Sequence, residues 1–161
     1  MSDSYDSNYL PNQVLLNGRS TSVGKTVSGL SGNTNIITMK WNSGITNCNS
    51  MFKSLNNIIS VDLTNFIVSN VQDMSKMFSN CSSLISVTIN DFSTSTLTAM
   101  SEMFYECIEL QSIDFKNIYT RQVTSMEKLF YDCSKLTSIN LSNFNTRSVQ
   151  SFFYMFIIVF L

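Results

Sequence analysis

The sequence predicts an α/β solenoid: about four to five 26-residue coils, with short parallel strands on one side and short helices on the other. The first observation behind this is a repeat. Residues 71–96, VQDMSKMFSNCSSLISVTINDFSTST, follow V-x-x-M-x-x-M-F-x-x-C-x-x-L-x-x-V-x-I-x-x-F. Twenty-six residues on, Leu97, Met100, Met103, Phe104, Cys107, Leu110, Ile113, Phe115 and Ile118 take the same slots. Val123, Met126, Leu129, Phe130, Cys133, Leu136, Ile139, Leu141 and Phe144 take them again, and Ile45, Cys48, Met51, Phe52, Leu55, Ile58, Val61, Leu63 and Phe66 take them one copy earlier. The second observation is that two periods alternate in each copy. V-x-x-M-x-x-M-F is apolar at i, i+3, i+6 and i+7, as on one face of a short helix. L-x-x-V-x-I then has the period of a strand with one buried side. The third is that no copy can bury both halves alone, whereas stacked copies cover one another along a continuous core.

Residues 1–32 lie outside the repeat. Polar residues surround Val14, Leu15 and Leu16, and Gly18, Gly24, Gly29 and Gly32 punctuate the remainder of the segment. It reads as a loose arm that adds one strand to the end of the stack. Within it, GRSTSVGKT at 18–26 approaches the phosphate-cradling G-x-x-x-x-G-K-[ST]. Five residues, rather than four, separate Gly18 from Gly24, and no long helix pattern comes after, so the stretch reads as a Gly/Ser loop. The repeat region, 33–161, opens with a half-repeat at 33–44, where Ile37, Met39 and Trp41 share one strand face. Trp41 reads as a lid over the open end of the core, because a ligand platform would want aromatic company. Full copies occupy 45–70, 71–96, 97–122 and 123–148. Ser and Asn before the first half of a copy, as in Ser69-Asn70, are placed to cap a helix.

The partial copy 149–161 ends in SFFYMFIIVFL. Phe152, Met155 and Phe156 match core slots, but Tyr154, Ile157 and Ile158 stand where Lys128, Tyr131 and Asp132 face outward in the copy before. The apolar run is too short for a bilayer, which takes about 20 residues, so membrane insertion is the least favoured reading. The stretch suits either a piece of a longer array or a surface for end-to-end self-association through Phe152, Phe153, Phe156, Ile157 and Ile158.

Composition excludes several functions. Ten Lys and Arg against eleven Asp and Glu, with a net charge of -1, leave no basic stripe for nucleic acid. There is no histidine, which removes the commonest general base and the commonest metal ligand. The polar start, MSDSYDSNYLPNQVLLNG, shows no secretory signal. Cys81, Cys107 and Cys133 share one slot and Cys48 occupies the Met74 slot; none lies at zinc-ligand spacing, and they read as small buried thiols. Glu102 and Glu106 fall at i, i+4 on an expected helix, and Asp62 and Asp114 lie two copies apart, ~10 Å by strand spacing. Neither pair converges on a cleft as paired-carboxylate chemistry requires. No catalytic residue, cofactor or metal is expected.

The outward strand positions are the most informative surface. Ser60, Ser86, Ser112 and Ser138 form one column, Asp62, Thr88, Asp114 and Asn140 a second, and Thr64, Asn90, Lys116 and Ser142 a third. Such a face is either simply solvated or a flat, polar surface for a partner. The residues expected to carry partner binding are Asp62, Thr88, Asp114, Lys116 and Asn140.

The lines Leu84-Val87-Ile89-Phe92 and Leu136-Ile139-Leu141-Phe144 follow the leucine-rich-repeat signature L-x-x-L-x-L-x-x-[NF]. With the added M-x-x-M-F-x-x-C-x-x-L and LSNFNT elements, residues 35–156 resemble the 26-residue repeats of BspA-like bacterial surface proteins. The resemblance implies a solenoid, display at the cell surface or outside the cell, and non-catalytic adhesion to a host or neighbouring-cell protein or to a glycan. The alternative expectation is a structural spacer or assembly segment that self-associates through its apolar end.

The register itself is testable. Each fully buried Phe contributes roughly 1.5–3 kcal/mol, so Phe104→Ser is expected to lower the urea midpoint well below that of Ser86→Ala. Equal midpoints would refute the assignment of slots.

Overall fold

The computed structural model describes residues 1, 10–24, 30, 35–42, 44–89 and 93–157. Its strands are β1 (Gln13–Leu16), β2 (Arg19–Thr21), β3 (Ile37–Lys40), β4 (Ser60–Asp62), β5 (Ser86–Thr88), β6 (Ser112–Asp114), β7 (Phe130–Tyr131), β8 (Ser138–Asn140) and β9 (Phe156–Ile157). They form three small sheets, ordered β2-β1-β3, β4-β5-β6-β8 and β7-β9. No helix occurs among the described residues. The expected α/β solenoid with a helical side is therefore corrected to a helix-free structure of short strands and turns.

The reason lies in where the amides of the M-x-x-M-F half go. Every second one leaves its own copy. Cys48, Ser50, Phe52 and Ser54 donate to the carbonyls of Asp73, Ser75, Met77 and Ser79 at 2.8–3.0 Å, and Met74, Lys76, Phe78 and Asn80 donate to Ala99, Ser101, Met103 and Tyr105 at 2.7–3.0 Å. Met126, Lys128, Phe130 and Asp132 repeat the arrangement with Ser151, Phe153, Met155 and Ile157. Intervening amides such as Met77 and Cys81 close tight turns onto Met74 and Phe78, three residues back. An α-helix needs its amides directed four residues back, and these are committed elsewhere.

The chain makes this geometry with left-handed residues at fixed places. Ser50 and Ser54, Lys76 and Asn80, Glu102 and Glu106, Lys128 and Asp132, and Tyr154 all have φ between 52° and 60°. The left-handed conformation costs a non-glycine residue roughly 1–2 kcal/mol. Hydrogen bonds between copies, each net about 1 kcal/mol, and burial of the flanking apolar slots offset it. Glu102 and Glu106 are thus successive turn residues, not neighbours on a helix face. Ser69 and Asn70 lie in a turn rather than at a helix cap.

The apolar half of the pattern survives the change because a series of tight turns also returns every third or fourth side chain to one side. Met74, Met77, Phe78, Cys81 and Leu84 are fully buried, as are Met100, Met103, Phe104, Cys107 and Leu110. The phenylalanines stack. Phe52, Phe78, Phe104, Phe130 and Phe156 form a column with ring centroids 5.3, 5.3, 5.8 and 5.3 Å apart and planes within 14°. Phe115 meets Phe104, Phe130 and Phe144 edge-on. Such pairs add roughly 0.5–1.5 kcal/mol each beyond area burial. Phe92, a core slot in the repeat, lies outside the described residues.

Parallel pairing sets the register. Ser60 pairs with Ser86, Ser86 with Ser112, and Ser112 with Ser138, while isolated bridges link Asn47, Asp73, Ala99, Ser125 and Ser151 in turn. Val87 and Ile113 point inward from their strands, and their Ser, Thr and Asp neighbours are exposed.

The N-terminal segment is more ordered than a loose arm with one strand. β1 and β2 form an antiparallel hairpin across Asn17-Gly18, both at positive φ (50° and 81°), the left-handed pair that a two-residue type I′ turn requires. β3 joins the other edge of β1. Gly18 therefore serves a hairpin turn and Arg19 opens a strand, which leaves no phosphate loop here; Lys25 and Thr26 lie outside the described residues. Trp41 is partly buried against the core and meets Phe66 edge-on at 5.4 Å, so it does have an aromatic neighbour, as part of the packing.

Ser54 isolates the backbone argument, because it is exposed and left-handed (φ 58°). Ser54→Gly is expected to leave the thermal midpoint nearly unchanged. Ser54→Val, a β-branched residue in the same conformation, is expected to cost about 1–2 kcal/mol. Equal midpoints for the two variants would contradict the role given to these turns.

Candidate partner-binding face

The four-stranded sheet carries the residues singled out for binding. Strand alternation turns Val61, Val87, Ile113 and Ile139 toward the core and their neighbours toward solvent. Asp62, Thr88, Asp114 and Asn140 are all exposed on that outer side, and Lys116 is exposed just beyond β6. Backbone pairing sets Asp62 beside Thr88 and Asp114 beside Asn140. Asn90, in the third column, lies outside the described residues.

Two of the five side chains also have local work. The Asp62 carboxylate accepts the amide of Thr64 at 2.9 Å, and the Asn140 carbonyl oxygen accepts that of Ser142 at 3.0 Å. Each side chain folds back to shape the turn after its strand. The bond from the Thr64 amide, with one from its hydroxyl, holds the Asp62 carboxyl below its ordinary value, so it stays charged on this face. The side chains of Thr88, Asp114 and Lys116 extend the face with a hydroxyl, a carboxylate and an ammonium group.

A second surface, on the turn side, lies apart from the strand columns. Tyr105 and Tyr131 stack at 5.0 Å, Tyr131 meets Tyr154 edge-on, and Phe153 packs on Tyr154 at 3.8 Å. Lys128 Nζ lies 5.8 Å over the Tyr105 ring, and Lys76 pairs with Glu102 at 3.9 Å. A hydrogen bond to the Glu106 carboxylate, with slight desolvation and the nearby acidic groups, pushes the Tyr105 phenol up to about 12. Its signal in the sequence is tyrosine near the same slot of two successive copies. Beside it a shallow groove of about 290 Å³ is lined by Asn56, Asn80, Ser82, Glu106, Ile108 and Asp132.

The thiols are structural. Cys81, Cys107 and Cys133 donate to the carbonyls of Phe52, Phe78 and Phe104 at 2.9, 3.1 and 3.0 Å, tying each copy to the one before. All four cysteines are buried and free. Burial pushes Cys48 and Cys133 up to about 12, Cys81 up to about 11, and Cys107 well above the ordinary value, the last helped by the adjoining thiols. Among the described residues, no three His, Cys, Asp or Glu side chains group as metal ligands, and no helix is long and apolar enough to cross a membrane.

Together these features define a repeat protein without helices among the described residues, with one regular polar face and one aromatic side. Residues 33–159 match the family described as Mycoplasma protein of unknown function, DUF285, and the chain belongs to that family. No curated protein and no solved structure matches the chain.

The raised thiols fix a pH dependence. A thiol held above its ordinary value of 9.0 in the folded chain binds its proton more tightly folded than unfolded. Its contribution is complete below pH 9 and is lost as pH rises toward 12. Urea midpoints are therefore expected to fall steeply above pH 9, and more gently in Cys107→Ala measured against its own neutral-pH value. An identical slope in that variant would contradict the assignment.

Proposed function

We propose that this chain is a non-catalytic adhesion module, displayed at the cell surface or outside the cell, that binds a protein of a host or neighbouring cell through the β4-β5-β6-β8 face. The observation that carries the reading is the regularity of that face. Exposed polar side chains recur at matched positions on four parallel strands, held by a core that repeats beneath them. Surfaces of this kind, rigid and extended, are what repeat proteins use to engage partners. The sequence likeness to BspA-like surface repeats supports the same class of function. Affinity is expected to come from Thr88, Asp114 and Lys116, with Asp62 and Asn140 supplying polar groups held by their own turns.

A second reading, favoured by a separate observation, is assembly. Phe152, Phe153 and Phe156 are 45, 57 and 50 % exposed, and exposed aromatic groups clustered in this way mark association surfaces. Ile157 is half-buried in β9, and Ile158 lies outside the described residues.

The first reading is tested by adding fluorescently labelled chain to intact cultured epithelial cells. Saturable, protease-sensitive binding is expected. It is expected to fall at least tenfold in the combined alanine variant of Thr88, Asp114 and Lys116, the exposed side chains without a turn to hold, with the thermal midpoint little changed. Binding that the combined variant leaves intact would overturn the assignment of the face.

A further inference from the structure

The turn half of each copy has an outer surface of its own, and its polar side chains are arranged differently from those of the strand face. Asn80, Glu106 and Asp132 occupy one slot in successive copies, all with left-handed backbones (φ 60°, 54° and 53°). Their amides donate to the carbonyls of Tyr105, Tyr131 and Ile157 in the following copy, at 2.7, 2.8 and 2.6 Å. Like backbone conformation and like hydrogen bonding aim the three side chains the same way. They form a row that rises ~4.8 Å per copy, the spacing of hydrogen-bonded extended backbones. The slot two residues on supplies Asn56, Ser82 and Ile108. The two rows line the groove of about 290 Å³, which thus crosses the copies from 45–70 to 123–148.

The polar groups of this groove are open to a ligand. On the strand face, Asp62 and Asn140 are engaged by the turns they enter. In the groove, Asn56, Ser82 and Asp132 make no side-chain hydrogen bond or ion pair among the described residues. Asn80 donates to the Ser79 hydroxyl at 3.1 Å, which leaves its carbonyl oxygen free to accept. The Tyr105 hydroxyl donates to the Glu106 carboxylate; this orients the carboxylate and leaves most of its lone pairs for other donors. Ile108, 37 % exposed, is the apolar member of the lining.

Carboxylates that only accept stand beside amides and a hydroxyl that both donate and accept. A matching ligand carries many hydroxyl groups, each donor and acceptor at once, at an interval close to the rise of one copy. A chain of neutral sugars meets this description. Its rings offer vicinal hydroxyls to planar amides and carboxylates and a C–H face to an aliphatic side chain, and one ring with its glycosidic bond is about as long as one copy is thick. Anionic glycans fit poorly, because Glu106 and Asp132 line the groove and no Lys or Arg does. An extended basic peptide would satisfy the carboxylates, but its side chains on one side recur every ~6.6 Å, twice the strand rise, out of step with the rows.

We propose that this groove binds a neutral oligosaccharide lying along the stack. Asn80, Glu106 and Asp132 hydrogen-bond ring hydroxyls along one side, Asn56 and Ser82 along the other, and a ring rests its C–H face on Ile108. Tyr105 is a positioning residue that holds the Glu106 carboxylate. The site is separate from the β4-β5-β6-β8 face and does not depend on what that face binds.

Titration calorimetry on the full chain tests this, with neutral tetrasaccharides of glucose, galactose, mannose and N-acetylglucosamine as probes. At least one is expected to bind, ten times or more tighter than its own monosaccharide, and with an affinity that added salt leaves unchanged because the ligand carries no charge. The combined variant Asn56→Ala, Ser82→Ala, Asp132→Gly removes the three side chains that lack a protein partner, and glycine keeps the left-handed backbone at 132. It is expected to bind at least tenfold more weakly with the thermal midpoint little changed. Asn56→Ala alone, at an exposed residue, is expected to weaken binding at least twofold. The combined alanine variant of Thr88, Asp114 and Lys116 is expected to bind the sugar as the parent chain does, so this site and the strand face fail or hold separately. Binding of none of the four probes, equal affinity for the monosaccharide, or full binding by the groove variant would overturn the proposal. So would tighter, salt-sensitive binding of a tetralysine peptide at the same residues.

Discussion

Everything in this structure depends on the backbone bonds that run from one 26-residue copy to the next. Alternate amides of residues 48–54, 74–80 and 126–132 reach carbonyls in the following copy. That commitment forbids a helix, forces left-handed turns at two places per copy, and fixes the spacing at which side chains stack. The phenylalanine column and the thiol column are consequences of it. Once two copies are hydrogen-bonded in register, like side chains must lie over like. A large flat ring and a small polarizable thiol are groups that tolerate such superposition.

The same constraint explains the polar interior. The Thr94 hydroxyl donates to the carbonyl of Val71 at 2.9 Å and that of Thr120 to Asn145 at 2.9 Å, both from fully buried side chains. The Cys thiols do likewise for the inward carbonyls of Phe52, Phe78 and Phe104. Among the described residues no buried side-chain polar atom lacks a partner, as stability in a low-dielectric interior demands. The repeat thus maintains polar satisfaction as well as apolar volume from copy to copy. The outward positions are not held to one residue type: Asp62, Thr88, Asp114 and Asn140 share a column and differ in charge.

The strand half is legible in the sequence because S-V-T and S-I-D place one apolar residue between two polar ones, a period of two that few other backbones produce. The turn half reads wrongly as helix because M-x-x-M-F repeats at three to four residues, and helices and successive tight turns both return side chains at that interval. Residues such as Lys76, Glu102 and Lys128 are good helix formers, and nothing in their identity announces a left-handed backbone. Asn80 and Asp132 tolerate that conformation better and are the faint signal. The Asn17-Gly18 hairpin has a plainer one, since that dipeptide favours a two-residue turn; the polar residues around it, Arg19, Ser20 and Thr21 among them, point instead to a loose arm. Of the candidate binding face, the columns can be read from spacing alone, whereas the turning back of the Asp62 and Asn140 side chains onto Thr64 and Ser142 cannot, since it depends on the turn each strand enters. The aromatic side is hidden for a similar reason, because Tyr105, Tyr131 and Tyr154 meet only once the turns aim them at one another.

By itself the sequence determined the period, the identity of the core slots and the alternation of the strands, because burial of apolar side chains imposes a pattern on the chain whatever path the backbone takes. The tertiary structure alone decided between helix and turn in the other half. That choice turns on whether an amide finds its acceptor four residues back or in the next copy, a competition no single copy contains.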